Sequence, residues 1–101
     1  MNRQHTIVVV EDDQTLMLGL EENLAAAGYR VLKALDGAAG LKLARERPPD
    51  LMILDLMLPR LSGYEVCKAL RGDGARYPIV LLTARQEEID KLMGFEMGAD
   101  D

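Results

Sequence analysis

The chain has 101 residues, of which 49% are apolar and 29% charged, and it carries a formal net charge of −5 at pH 7. That length fits one domain with one modest core, and the acidic balance argues against nucleic-acid binding by these residues alone, since binding usually takes a basic face. The single cysteine, Cys67, cannot form an internal disulfide, and no apolar run approaches the ~20 residues of a membrane-spanning helix. We therefore expect a cytoplasmic globular domain.

Short apolar runs alternate with segments of helical periodicity along the whole chain. This alternation predicts a parallel sheet with right-handed crossovers and helices on both faces, an α/β fold. The expected strands cover residues 7–10, 29–34, 51–54 and 78–83, and the expected helices cover residues 14–27, 38–47, 62–71 and 85–97. The second strand is the most polar of the four, so we expect it at an edge of the sheet.

Several element ends carry clear local signals. Asp13 has the position of an N-cap for the first helix, and Gly28 is well placed to end that helix. Pro48 ends the second helix because proline cannot continue it. Ser62, with Glu65 three residues later, forms the pattern of a capping box at the start of the third helix.

Two strands are followed by acidic residues. Glu11 and Asp12 follow the run Ile7-Val8-Val9-Val10, and Asp55 follows the run Leu51-Met52-Ile53-Leu54. Side by side in a parallel sheet, these carboxylates would meet at the carboxyl ends of the strands, where ligands of such folds bind. That concentration of negative charge favours a divalent cation or a phosphoryl group.

This arrangement predicts a magnesium-assisted phosphate site with Asp55 as a carboxylate nucleophile that forms an acyl phosphate. Thr83, at the end of the fourth strand, could donate its hydroxyl group to a phosphoryl oxygen. For Glu11 and Asp12 taken alone, a helix-capping or solvated-loop role is an equally good interpretation. Thr83 taken alone would be an ordinary β-forming residue.

The motifs together resemble a known family. Val9-Val10-Glu11-Asp12-Asp13, Asp55-Leu56-Met57-Leu58-Pro59 with Gly63, and Thr83-Ala84 resemble the receiver domain of two-component response regulators over nearly the whole chain. The resemblance implies a flavodoxin-like doubly wound sheet with strand order 2-1-3-4(-5). It also implies that Asp55 is the phosphoacceptor for a sensor histidine kinase and that Thr83 is a switch residue that contacts the phosphoryl group.

The same resemblance implies a magnesium site. Asp12 and Asp55 would bind Mg²⁺ directly, the backbone carbonyl of Met57 would be a third protein ligand, and Glu11 would act mostly through water.

A narrower resemblance concerns the last part of the chain. Leu82-Thr83-Ala84-Arg85 and the charged residues after it are similar to the OmpR/PhoB subfamily, in which receivers control an attached winged-helix DNA-binding domain. In that subfamily the face that includes the fourth helix pairs two receivers after phosphorylation, which implies a homodimer on activation. The residues here that match charged positions of that face are Lys91, Glu96, Asp100 and Asp101. A solvated helix side is the alternative interpretation.

The family pattern continues beyond Asp101 with a fifth strand, a lysine-proline pair and a fifth helix. We therefore expect residues 1–101 to be a C-terminally incomplete receiver domain, without its output domain.

Two other functions stay open on the sequence. One is a magnesium-dependent phosphohydrolase with an aspartyl nucleophile, although Met57 stands where that chemistry usually has a second acid. The other is an interaction domain that works without phosphorylation. The receiver interpretation, in which the chain is a substrate of the transfer and not an enzyme, explains more of the motifs than either.

Overall fold

The computed structural model describes residues 4–82, in which four strands alternate with three helices. The elements in chain order are β1 (Thr6–Val10), α1 (Gln14–Ala26), β2 (Arg30–Ala34), α2 (Gly37–Glu46), β3 (Leu51–Asp55), α3 (Gly63–Gly72) and β4 (Ile79–Leu82). Every one of them matches an element predicted from the sequence to within one or two residues. The predicted helix at 85–97 lies outside the described residues.

The strands form one parallel sheet with the order β2-β1-β3-β4. This is the predicted order, and β2 lies at the predicted edge. The central strands are in register, with Val10 opposite Leu54 and Asp55 opposite Leu82. Because the register is aligned, β1 and β3 end at the same level of the sheet.

Each central strand contributes side chains to two separate apolar clusters, as expected for a sheet that is buried on both faces. Val8, Val10 and Leu54 lie in the larger cluster, which includes the buried residues of α2 and α3. Ile7 and Val9 lie in the smaller cluster with Met17 of α1. The alternation of side chains along a strand therefore decides which helix layer each residue contacts.

The helices begin at caps that the sequence supplies. The Asp13 carboxylate accepts hydrogen bonds from the backbone N–H groups of Thr15 and Leu16, which confirms its predicted role. Ser62 and Glu65 form the predicted capping box of α3. These caps satisfy N–H groups that the first helical turn leaves without partners.

Two predicted boundaries need correction. The second helix was expected at 38–47, but Asp36 is the N-cap of α2 and Gly37 is its first residue. The Asp36 side chain accepts a hydrogen bond from the N–H of Ala39, so the helix begins one residue earlier. In addition, β3 includes Asp55, whereas the predicted strand ended at Leu54.

Among residues 4–82, no helix has the length and apolar character needed to cross a bilayer.

Candidate functional site

Three carboxylates converge at the carboxyl ends of β1 and β3. Glu11 and Asp12 follow β1, and Asp55 is the last residue of β3. One ligand oxygen from each of the three lies within 4.8 Å of the others. The aligned register of the two strands produces this cluster. Val10 is paired with Leu54, so the next residue on each strand, Glu11 and Asp55, lies at the same level of the sheet.

The three residues differ in exposure. Glu11 is 3% exposed, and among residues 4–82 it is the one charged residue that is buried. Asp55 is partly buried, and Asp12 is exposed. The cluster therefore has one carboxylate held within the protein and two that can reach a ligand from solvent.

The pKa of Glu11 is raised from 4.5 to about 7, chiefly by burial and in smaller part by the Asp55 and Asp12 carboxylates beside it. The backbone N–H of Asp13 opposes this rise by donating a 2.9 Å hydrogen bond to Glu11 Oε2. Near neutral pH the protonated and ionised forms of the Glu11 carboxyl group are therefore both populated. Burial and the neighbouring carboxylates therefore both disfavour the charged form of Glu11.

Asp55 is fixed by the loop that follows it. Its Oδ1 atom accepts a 3.1 Å hydrogen bond from the backbone N–H of Met57. Gly63, the first residue of α3, lies against the same backbone, because a Cβ atom at Gly63 would lie 2.5 Å from the Asp55 carbonyl oxygen. Only a glycine permits this close approach, so the start of α3 is tied directly to the end of β3.

The predicted site residues have three outcomes. Glu11, Asp12 and Asp55 are brought together as expected. The Met57 side chain is 67% exposed, and the role of its carbonyl group stays a prediction. The remaining predicted site residues lie outside the described residues: Thr83, Lys91, Glu96, Asp100 and Asp101.

One contact and one backbone conformation in this region were not predicted from the sequence. The backbone of Gly37 meets the backbone of Leu61, since a Cβ atom at Gly37 would overlap the Leu61 carbonyl oxygen. Arg60 has a backbone φ of 68°, a value that residues with a Cβ atom rarely adopt. The Pro59-Arg60 pair signals a turn, but no local pattern predicts that the next residue contacts α2.

The cluster fits a divalent cation. Carboxylate oxygens are the ligands that Mg²⁺ and Ca²⁺ prefer, and Mg²⁺ commonly takes one or two of them together with water and phosphate oxygens. An open cavity of about 610 Å³ adjoins the three carboxylates, with Leu16, Leu20 and Leu82 also at its walls. The site can therefore admit a cation and a phosphate-sized group together.

Comparison with known proteins identifies the family. The family model described as "response regulator receiver domain" matches residues 7–101. The chain belongs to the response regulator receiver family. This confirms the predicted family, and it favours neither the phosphohydrolase nor the phosphorylation-independent interaction domain.

Curated relatives of this receiver are named as regulators of transcription. The chain is 48% identical over 101 residues to the alkaline phosphatase synthesis transcriptional regulatory protein PhoP of Bacillus subtilis, covering 100% of this chain and 41% of that protein. It is 47% identical over 96 residues to the transcriptional regulatory protein AfsQ1 of Streptomyces coelicolor, covering 95% of this chain and 42% of that protein. These relatives are regulators of the predicted OmpR/PhoB type. The chain spans about two fifths of their length.

A solved relative has the same fold. The response regulator TrrA of Thermotoga maritima, in complex with Mg²⁺-BeF, matches with a TM-score of 0.81 and 34% identity, covering 88% of this chain and 77% of that chain. The predicted flavodoxin-like parallel sheet is confirmed.

Proposed function

We propose that this receiver domain is switched by phosphorylation of Asp55. The observation that carries the proposal is the position of Asp55, a partly exposed carboxylate at the end of β3 that shares a cluster with buried Glu11. Of the three acids, Asp55 is the one whose carboxylate is oriented by the loop between β3 and α3, through the Met57 N–H group. A fixed carboxylate that solvent reaches is a suitable nucleophile toward phosphorus.

In the proposed transfer, one Oδ atom of Asp55 attacks phosphorus with a lone pair and forms an O–P bond. The bond from phosphorus to the donor group breaks, and its electron pair leaves with the donor, an imidazole nitrogen of the kinase or the acetate of acetyl phosphate. The chain is modified in this reaction and later loses the phosphoryl group by hydrolysis, so it is a substrate and not an enzyme.

Asp12, Asp55 and the Met57 carbonyl group would hold Mg²⁺, with Glu11 acting through water. When bound, Mg²⁺ neutralises charge on the phosphoryl oxygens during transfer. Glu11 contributes by adjusting the charge of the cluster, because its pKa near 7 lets it release a proton when positive charge is nearby. Thr83 would donate its hydroxyl group to the phosphoryl oxygen in the modified state.

The partners of the whole protein follow from the same proposal. A sensor histidine kinase would donate the phosphoryl group in the cytoplasm. An output domain beyond these residues would bind DNA, and the face with Lys91, Glu96, Asp100 and Asp101 would pair two receivers. The names of the curated relatives as transcriptional regulators support the DNA-binding output.

Labelling with acetyl phosphate and Mg²⁺ tests the proposal. Intact-mass and peptide mass spectrometry should find one phosphoryl group on Asp55, and Asp55→Asn should abolish it. Asp36→Asn, at the end of the neighbouring strand β2, is the matched control and should label normally, because asparagine also serves as an N-cap. Equal labelling of the Asp55→Asn protein, or steady turnover of a phosphate ester, would contradict the proposal.

A further inference from the structure

A second open cavity lies at the end of the domain opposite to the acidic cluster. It has a volume of about 380 Å³ and is formed between the C-terminal turns of α2 and α3 and the connector before β4. Ala44 of α2 and Leu70 of α3, each 2% exposed, form apolar walls together with Tyr77 of the connector. Both buried residues belong to the larger apolar cluster, and Tyr77 packs against it. The cavity therefore reaches from solvent to the core, and its size is typical of small-molecule sites.

An ion pair at this cavity joins the two helices. Arg45, in the last turn of α2, donates from Nε to Asp73 Oδ2 over 2.7 Å and from Nη2 to Asp73 Oδ1 over 3.4 Å. Asp73 is the C-cap of α3, and both residues line the cavity. The side chains are 50% exposed at Arg45 and 44% exposed at Asp73. An exposed ion pair contributes little to stability, so each partner can exchange the other for a ligand group at small cost.

The charges of this pair decide which ligand suits the cavity. A monocation that binds Asp73 leaves Arg45 without its partner, and a monoanion that binds Arg45 leaves Asp73 without its partner. A zwitterion satisfies both, because its ammonium group pairs with the carboxylate and its carboxylate pairs with the planar guanidinium group. A free α-amino acid carries both charges on one carbon atom, and its side chain extends away from them. The walls at Ala44, Leu70 and Tyr77 then favour a side chain that is apolar.

We propose that this cavity binds a free α-amino acid with an apolar side chain. The ligand carboxylate binds Arg45, the ligand ammonium group binds Asp73, and the side chain lies against Leu70 and Tyr77. The ligand thus bridges α2 and α3 where the ion pair now joins them. None of these residues belongs to the acidic cluster, so the inference does not depend on phosphorylation of Asp55.

Four probes separate the parts of the ligand: L-phenylalanine, phenethylamine, 3-phenylpropionate and L-serine. Phenethylamine lacks the carboxylate, 3-phenylpropionate lacks the ammonium group, and L-serine lacks the apolar side chain. Each is titrated to about 20 mM into the full-length protein with Mg²⁺ present, and NMR follows the amides of Gly74 and Ala75, which line the cavity. L-Phenylalanine should shift both amides in a saturable way, with an affinity at least about fivefold higher than that of any other probe. The amide of Asp12, in the acidic cluster, should not shift.

Substitutions of the ion pair should affect the two charged halves of the ligand separately. Arg45→Gln should weaken L-phenylalanine binding at least about fivefold without weakening phenethylamine binding. Asp73→Asn should weaken L-phenylalanine binding by a similar factor without weakening 3-phenylpropionate binding. Glu46→Gln is the matched control, since Glu46 is exposed at the end of α2 and does not line the cavity. Thermal melts confirm that each variant is folded.

Equal affinities for the four probes would overturn the inference, as would the absence of a saturable shift at about 20 mM L-phenylalanine. Tighter binding of phenethylamine or 3-phenylpropionate than of L-phenylalanine would overturn it as well, because the site would then prefer a single charge. L-Phenylalanine binding that is unchanged in both Arg45→Gln and Asp73→Asn would exclude the ion pair as the binding group. Labelling of Asp55 by acetyl phosphate is measured separately, so each of these failures leaves the proposed function standing.

Discussion

The backbone N–H of Asp13 donates a 2.9 Å hydrogen bond to Glu11 Oε2, while the Asp13 side chain caps α1. One residue therefore performs two tasks with different groups: its amide restrains the buried carboxylate, and its carboxylate starts the helix. The two tasks can be separated by substitution, because a side-chain change leaves the amide in place.

Replacement of Asp13 by alanine should lower the free energy of unfolding by about 1 kcal/mol, the usual effect of losing an N-cap. Asp13→Ser should recover most of that loss. Neither variant should change Mg²⁺ affinity by more than about twofold, since the N–H bond to Glu11 remains. Urea unfolding with and without Mg²⁺ measures both quantities. A large loss of Mg²⁺ affinity in Asp13→Ser would show that the Asp13 carboxylate belongs to the metal site.

Without metal, the stability of the fold should fall as the pH rises from about 4.5 to about 7. The pKa of Glu11 is raised from its ordinary value of 4.5 to about 7, chiefly by burial. The folded state therefore holds a proton that the unfolded state has released, and this stabilisation is complete below pH 4.5 and is lost as the pH passes 7.

The expected loss is at most roughly 3.5 kcal/mol, at about 1.4 kcal/mol per pKa unit. Urea unfolding in EDTA between pH 4.5 and 8 should show it. Glu11→Gln should flatten this part of the profile, and Glu22→Gln, on the exposed side of α1, should not. A wild-type profile without this slope would contradict the raised pKa.

Mg²⁺ should stabilise the fold, and more at pH 8 than at pH 6, because Glu11 must release its proton before the cluster reaches full charge. The expected gain is about 1.4 kcal/mol when free Mg²⁺ is about ten times its Kd. Asp12→Asn should remove most of it. Thermal melts at both pH values with a Mg²⁺ titration provide the measurement, and an equal gain in Asp12→Asn would exclude Asp12 as a ligand.

Gly63→Ala should destabilise the domain by about 1–3 kcal/mol. Its Cβ atom would lie 2.5 Å from the Asp55 carbonyl oxygen and 2.8 Å from the Leu56 Cα atom, both of which belong to the backbone. Gly72→Ala in the same helix is the matched control, since a Cβ atom there meets nothing within 4 Å. Circular dichroism melts of the two variants compare them directly. Similar melting temperatures would show that the loop moves aside at little cost.

The sequence predicts the part of the site that depends on strand order. Two apolar runs followed by acids are enough to place Glu11, Asp12 and Asp55 together, because parallel strands share their carboxyl ends. The burial of Glu11 is not predictable in this way, since a residue just past a strand can face either solvent or protein. Helix ends were predicted to within one or two residues, as for 14–27 against Gln14–Ala26, because terminal turns have few hydrogen bonds to define them.

Contacts between loops were the part that the sequence did not reveal. Gly37 and Leu61 are separated by 24 positions, and neither carries a local signal for the other. Arg60 is not a residue type that favours positive φ, so only the packing around it explains its conformation.

The aligned ends of β1 and β3 also limit how this sequence can change over evolution. A one-residue insertion within β3 would shift the strand by about 3.3 Å and turn Asp55 to the opposite face of the sheet, away from Glu11. The connectors at the other end, residues 27–29, 47–50 and 73–78, contribute no residue to the acidic cluster. Length variation among homologues should therefore concentrate in those connectors, at the end of the domain that is remote from the chemistry.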